Sequence, residues 1–127
     1  MSVRVVVVDD ESDMEMLFRQ QFRRELREGH FILDFAPSAE EALRIIRAAD
    51  GATIILLVSD INMPGMSGLD LLPHIKVERP DIPVVMVTAY GDELTRKRAI
   101  ELGADGFLTK PIDFSALKSE VQARLAA

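Results

Sequence analysis

Apolar residues alternate along the chain between short continuous runs and longer stretches with helical spacing. Three of the runs, at residues 5–8, 54–58 and 84–87, are apolar at every position. Strands that are apolar on both faces are typical of a parallel sheet that helices cover on both sides. We therefore predict a five-stranded parallel sheet. Its strands lie at residues 3–8, 31–35, 53–58, 84–88 and 106–109.

Polar residues that favour a helix start or end border the stretches between these strands. Ser12 and Ser38 each precede a glutamate by three positions, the pattern in which a serine side chain caps the first helical turn. Ser67 and Asp113 are expected to cap two further helices, and Gly103 to end another. The alternation predicts an α/β fold with five helices and a doubly wound sheet, in which right-handed crossovers connect the strands.

Pro73 conflicts with the helix that should begin at a Ser67 cap. It would be the sixth helical residue, and its missing N–H would leave the carbonyl of Leu69 without a helical partner. A proline at such a position costs about 3 kcal/mol. We therefore expect this helix to be kinked or to begin late, so that Pro73 falls in the first turn, where proline is tolerated.

Composition limits the class of protein. The 127 residues match one domain, which we expect to span residues 1–127. A net charge of −6 disfavours direct nucleic-acid binding, and the lack of cysteine excludes disulfides and thiolate metal sites. The first apolar run ends at Asp9, far short of a membrane span, so we expect a cytoplasmic protein without a membrane partner.

Polar side chains stand at the carboxyl ends of four predicted strands, where open α/β sheets bind ligands. They are Asp9, Asp10, Asp60, Thr88 and Lys110. Each has an ordinary structural explanation alone, but two carboxylates about 4 Å apart repel by roughly 4 kcal/mol at an effective dielectric constant near 20. Such a cluster must spread apart, hold protons or bind a cation. Mg²⁺ binds carboxylates together with a substrate phosphate, and a lysine can contact a phosphoryl oxygen.

Four motifs surround these residues in order along the chain. They are Val7-Val8-Asp9-Asp10, Asp60-Ile61-Asn62-Met63-Pro64-Gly65-Met66-Ser67-Gly68, Thr88-Ala89-Tyr90-Gly91 and Gly103-Ala104-Asp105-Gly106-Phe107-Leu108-Thr109-Lys110-Pro111. With them, over essentially the whole chain, the sequence resembles the receiver domains of response regulators in bacterial two-component signalling. The resemblance implies a flavodoxin-like fold with strand order 2-1-3-4-5, the order known for this type of protein.

The resemblance also implies a role for each matching residue. Asp60 would be the phosphoacceptor, a carboxylate nucleophile that attacks phosphorus. Asp10, Asp60 and the backbone carbonyl of Asn62 would bind Mg²⁺ directly, and Asp9 would bind it through water. Lys110 would contact Asp60 and a phosphoryl oxygen.

The same resemblance implies a conformational switch. Thr88 would move to the phosphoryl group, and Phe107 would then turn inward. The bond between Lys110 and Pro111 would be cis, a state nearly confined to X–Pro bonds. Tyr90 is either an exposed loop aromatic or a residue that flanks the site.

The implied function is a phosphoacceptor switch. A histidine kinase or a histidine phosphotransfer protein would donate the phosphoryl group to Asp60 in a Mg²⁺-dependent reaction. The surface of the fourth helix, fifth strand and fifth helix would then signal to an unknown effector. Such a domain is not an enzyme with a separate substrate: it catalyses only its own phosphoryl transfer and slow autodephosphorylation.

Three other classes fit less well. A Mg²⁺-dependent phosphatase similar to the haloacid dehalogenases carries Asp-x-Asp after the first strand, where Asp9 and Asp10 are adjacent instead. It would also turn over a small phosphomonoester repeatedly. A flavin-binding module needs a phosphate loop where this chain has an acidic run. A receiver that only binds proteins, without phosphorylation chemistry, is disfavoured because Asp10, Asp60, Thr88 and Lys110 are all present.

Overall fold

The computed structural model describes residues 3–49, 53–89 and 91–126. In these residues, five strands and six helices follow one another. The strands are β1 (Val3–Val8), β2 (Ile32–Ala36), β3 (Thr53–Asp60), β4 (Val84–Thr88) and β5 (Gly106–Thr109). The helices are α1 (Ser12–Gln21), α2 (Arg23–Arg27), α3 (Ala39–Ala48), α4 (Gly68–Glu78), α5 (Glu93–Glu101) and α6 (Phe114–Ala126). Every predicted strand is present, with its ends displaced by two residues at most.

The strands form one parallel sheet in the order β2-β1-β3-β4-β5. The predicted fold class and strand order are therefore confirmed. The valine run of β1 is 3% exposed or less, because β1 is an interior strand with helices on both faces. Parallel pairing brings the carboxyl ends of β1, β3, β4 and β5 to the same edge of the sheet.

Helices cover both faces of this sheet. On one face, α3, α4 and α5 bury a cluster that includes Ile46, Leu72 and Ala99. On the other, α1 and α6 bury Phe18 and Leu117. Burying such side chains contributes about 1.5–3 kcal/mol each for the large apolar ones. Within the described parts of the chain, every helix is too short or too polar to cross a membrane.

The first helical region differs from its prediction in two ways. It is divided at Phe22, whose φ and ψ of −102° and 17° leave the helical range, so the described residues form six helices rather than five. The Phe22 ring is 2% exposed and packs edge-to-face on Phe31 and Phe114, so tertiary packing competes with local helix geometry. The prediction that Ser12 caps this helix is also wrong. Glu11 takes the N-cap position, and its N–H donates to Asp9 at 2.9 Å.

The remaining helix boundaries follow local signals in the sequence. Ser38 caps α3 by accepting the N–H of Glu41 at 3.1 Å. The side chain of Asp113 accepts the N–H of Ala116 at 3.2 Å in the first turn of α6. Gly103 follows the end of α5 with a φ of 102°, a conformation that favours glycine. These predictions are confirmed.

Helix α4 begins where the Ser67 cap predicts, so the expectation of a late start is wrong and Pro73 lies inside the helix. Ser67 and Asp70 form a capping box with two bonds of 3.1 Å. Leu71, Leu72 and Ile75 are 1% exposed or less. Burial of these three side chains, at about 1.5–3 kcal/mol each, offsets the proline cost of about 3 kcal/mol. The kink stays a prediction.

An ion pair joins α4 to the sheet edge opposite the strands' carboxyl ends. Lys76 Nζ lies 2.8 Å from Asp105 Oδ2, which also accepts the backbone N–H of Val84 at 2.8 Å. Burial alone would raise the pKa of Asp105, but the bonds from Lys76 and Val84 outweigh it and hold that pKa below its usual value.

Acid should therefore remove the contribution of Asp105 to stability. A carboxyl group with a depressed folded pKa stabilises fully above its unfolded pKa, about 3.9, and loses this effect as pH falls through the folded pKa. Asp105→Asn should lower the melting temperature at neutral pH, and the deficit relative to the parent should remain at about pH 6 and shrink as the pH falls below about 4. Thermal melts across this range measure it, with exposed Asp13→Asn as the matched control. A deficit that stays constant with pH contradicts the assignment.

Candidate functional site

Four side chains predicted to act together lie at the carboxyl edge of the sheet. Asp9 follows β1, Asp60 ends β3, Thr88 ends β4, and Lys110 follows β5. Asp9, Asp60 and Thr88 are only 4%, 5% and 1% exposed. Buried charges are costly unless they are paired or bind a cation, so this edge of the sheet is the candidate site.

Lys110 joins the two buried carboxylates. Its Nζ lies 3.0 Å from Asp60 Oδ2, 3.3 Å from Asp9 Oδ2 and 3.6 Å from Glu11 Oε1. Burial alone would lower the pKa of Lys110, but the hydrogen bonds and charges of Asp60 and Asp9 outweigh it and raise the pKa. The backbone N–H of Lys110 donates to the Thr88 carbonyl at 2.9 Å, and the bond to Pro111 is cis. The ammonium is therefore held in its charged form beside Asp60.

The acidic groups outnumber this ammonium. Asp9, Asp10, Glu11 and Asp60 each place a carboxylate oxygen within 4.8 Å of the others. Burial raises the pKa of Asp9 against the bond from the Glu11 N–H, and the charge of Asp60 raises it further. Asp10 and Glu11 are exposed, so an ion can reach the cluster from solvent. An all-oxygen cluster with excess negative charge fits a hard divalent cation such as Mg²⁺.

The loop between β3 and α4 holds the Asp60 carboxylate from its other side. The N–H of Asn62 donates to Asp60 Oδ1 at 3.2 Å. Ile61 donates its N–H to the Val87 carbonyl at 2.9 Å, and Gly68 donates its N–H to the Ile61 carbonyl at 3.0 Å. A Cβ at Gly68 would collide with the Asp60 carbonyl oxygen. Glycine is therefore needed where α4 meets the end of β3.

Thr88 and Phe107 lie on the same face of the sheet. Met86 pairs with Phe107 and Thr88 with Thr109, and residues two apart on a strand share a face. Phe107 is half-buried against the cluster beneath α4 and α5. Thr88 Oγ1 donates to Asn62 Oδ1 at 2.9 Å. The two residues to which the resemblance gives a switch role thus share the face of the sheet that α3, α4 and α5 cover.

The sequence-based assignment missed two features. Glu11 joins the acidic cluster, and the run of three acids after β1 is a signal that could have included it. The side-chain bond between Asn62 and Thr88 spans 26 positions and had no sequence signal. Tyr90 lies outside the described residues.

Comparisons with known proteins show a consistent likeness. The sequence model of the response regulator receiver domain matches residues 5–122. The chain is 32% identical over 123 residues to the two-component response regulator PhoP of Pseudomonas aeruginosa, a match that covers 97% of this chain and 52% of PhoP. The chain spans about half the length, or less, of the curated relatives it matches.

Solved structures show the same likeness. A response regulator receiver domain protein from Clostridium thermocellum is 27% identical with a TM-score of 0.84, covering 98% of this chain and 94% of that chain. A chain of the CheX–CheY–BeF3–Mg²⁺ complex from Borrelia burgdorferi is 30% identical with a TM-score of 0.82, covering 95% of this chain and 87% of that one.

Proposed function

Because the chain belongs to the response regulator receiver domain family, whose members are phosphoacceptor switches, we propose that Asp60 accepts the phosphoryl group in a Mg²⁺-dependent reaction. We assign residues 1–127 to this one domain. One observation carries the proposal: the buried Asp60 carboxylate is paired with Lys110 inside a cluster of four carboxylates. A purely structural ion pair between Asp60 and Lys110 would not require the carboxylates of Asp9, Asp10 and Glu11 to lie beside it.

In the proposed reaction, an oxygen of Asp60 attacks phosphorus while the bond from phosphorus to the donor's leaving group breaks. From a phosphohistidine donor, the imidazole nitrogen leaves with the bonding electron pair and takes up a proton. Lys110, at 3.0 Å from Asp60, is placed to neutralise charge on the phosphoryl oxygens. The Asn62 N–H orients the carboxylate through its 3.2 Å bond.

Bound Mg²⁺ would neutralise the charge of the carboxylates and of the transferred group. Asp10, Asp60 and the backbone carbonyl of Asn62 would hold it directly, and Asp9 through water. The exposed Asp10 and buried Asp60, with oxygens in one cluster, support this assignment. Thr88 would then move to the phosphoryl group and Phe107 would turn inward.

We assign the donor to a histidine kinase or a histidine phosphotransfer protein in the cytoplasm. Helix α1 begins next to the site and exposes 74% of Met16 beside Arg19 and Arg23, a mixed apolar and basic surface that supports protein docking there. The surface formed by α5, β5 and α6 would signal to an unidentified effector. These elements correspond to the predicted fourth helix, fifth strand and fifth helix. Leu94 and Ile100 on α5 are 82% and 49% exposed, which supports this choice. The domain itself would contact neither nucleic acid nor membrane.

Acetyl phosphate provides the test of this proposal. With Mg²⁺, the parent protein should gain the mass of one phosphoryl group, which base should remove because acyl phosphates are base-labile. Chelation of Mg²⁺ should prevent the labelling, because uncompensated carboxylates repel the incoming phosphate. Intact-protein mass spectrometry measures both results. Labelling that is equally fast without a divalent cation contradicts the metal requirement, and repeated hydrolysis of small phosphomonoesters would favour a phosphatase instead.

A further inference from the structure

The side-chain amide of Asn62 makes a contact that the proposed reaction does not use. Its Oδ1 accepts the hydroxyl of Thr88 at 2.9 Å. The backbone of Asn62 acts on a different group, because its N–H donates to Asp60 at 3.2 Å. The Asn62 side chain is exposed and Thr88 is 1% exposed, so the bond reaches from the loop surface to a buried hydroxyl.

We propose that the Asn62 side chain is a latch that holds the Thr88 hydroxyl in its resting orientation and opposes the phosphorylated state. The proposal rests on the proposed function, in which Thr88 donates to the phosphoryl group. A hydroxyl has a single proton to donate, so Thr88 cannot donate to Asn62 and to a phosphoryl oxygen together. Phosphorylation therefore breaks the latch, and the free energy of that bond shifts the equilibrium toward the resting state.

The latch acts on the side chain of Thr88 rather than on its backbone. The Thr88 carbonyl accepts the N–H of Lys110 at 2.9 Å, which holds the end of β4 in place. Rotation of the hydroxyl is then the change by which Thr88 can reach the phosphoryl group. Thr88 ends β4, and residues 89–92 connect β4 to α5, which belongs to the proposed signalling face. Because it holds Thr88, Asn62 acts as a positioning residue between the phosphoacceptor Asp60 and that face.

The first test measures the latch in the unphosphorylated protein without metal. Asn62→Leu removes the acceptor at nearly constant size, whereas Asn62→Asp keeps an oxygen at the Oδ1 position. Three-bond NMR couplings report the χ1 rotamer of Thr88. We expect the Thr88 rotamer of the parent to be retained in Asn62→Asp, and the rotamer populations to shift in Asn62→Leu, which lacks the acceptor. A single unchanged rotamer in Asn62→Leu overturns the latch, whether or not the protein can be phosphorylated.

The second test measures the competition. Beryllofluoride with Mg²⁺ is a non-reactive stand-in for the phosphoryl group, and its affinity for the full chain can be titrated by NMR. Asn62→Leu should bind it about fivefold more tightly, the effect of one neutral hydrogen bond. In a Thr88→Val background, the same substitution should leave the affinity unchanged, because the donor is gone.

The two tests separate failure of the latch from failure of the proposed function. Equal beryllofluoride affinity of the parent and Asn62→Leu overturns the latch, and so does an equal gain in the Thr88→Val background. A parent that binds no beryllofluoride at all contradicts the proposed function and overturns the competition with it. The rotamer measurement then still decides whether Asn62 holds Thr88.

Discussion

Asp60→Asn should abolish covalent labelling by acetyl phosphate and Mg²⁺. The amide oxygen is a poor nucleophile, and removal of a covalent nucleophile lowers a rate by at least about 10⁴-fold. The protein should remain folded, because Lys110 keeps its contact with Asp9 at 3.3 Å and one of two buried carboxylates loses its charge. Intact-protein mass spectrometry and base treatment measure the label.

Two matched variants make this result specific. Asp81→Asn makes the same chemical change at an exposed position before β4 and should be labelled like the parent. Asp9→Asn should slow the labelling without abolishing it, because Asp9 would act on the metal through water. Full labelling of Asp60→Asn would refute the acceptor assignment directly.

Lys110→Met should slow labelling by about 10²-fold, the usual cost of removing one preorganised electrostatic contact. It should also destabilise the protein without Mg²⁺ by up to about 3 kcal/mol, because Asp9 and Asp60 would lose their shared ammonium. Mg²⁺ stabilises the fold by binding to the native state. Its effect on the melting temperature should be larger in Lys110→Met than in the parent, because a cation then replaces the missing charge.

Thermal melts with and without millimolar Mg²⁺ measure these effects together. Lys97→Met removes an exposed ammonium from α5 and should match the parent in stability and in labelling. Asp10→Asn should lose most of the upward shift that Mg²⁺ causes, because a direct ligand is gone. A smaller shift in Lys110→Met than in the parent would contradict the idea that the lysine and the metal neutralise the same carboxylates.

The elements that sequence reasoning located correctly depend on neighbouring residues. The valine run of β1 is an interior strand because every position is apolar, and a parallel sheet covers both faces. Ser38 caps α3 through an N–H three positions away. Such signals act within one turn or one strand, so they can be found without knowledge of the rest of the chain.

Two of the helix predictions that failed were decided by tertiary packing. Phe22 leaves the helical conformation where its ring packs on Phe31 and Phe114. Pro73 is tolerated inside α4 because buried leucine and isoleucine side chains of that helix outweigh its cost. In both cases tertiary packing is stronger than local propensity, which spans less than about 1 kcal/mol for most residues and about 3 kcal/mol for proline.

The sequence by itself determined most of the side chains that stand at the candidate site, because strand ends can be found from the apolar pattern and parallel strands end at one edge. Only the tertiary structure decided which of them touch. Lys110 reaches Asp60 and Asp9 across 50 and 101 positions, and Thr88 reaches Asn62 across 26. These bonds depend on strand order and on where each loop turns after its strand. Both are consequences of packing the whole sheet, so no stretch of sequence encodes them alone.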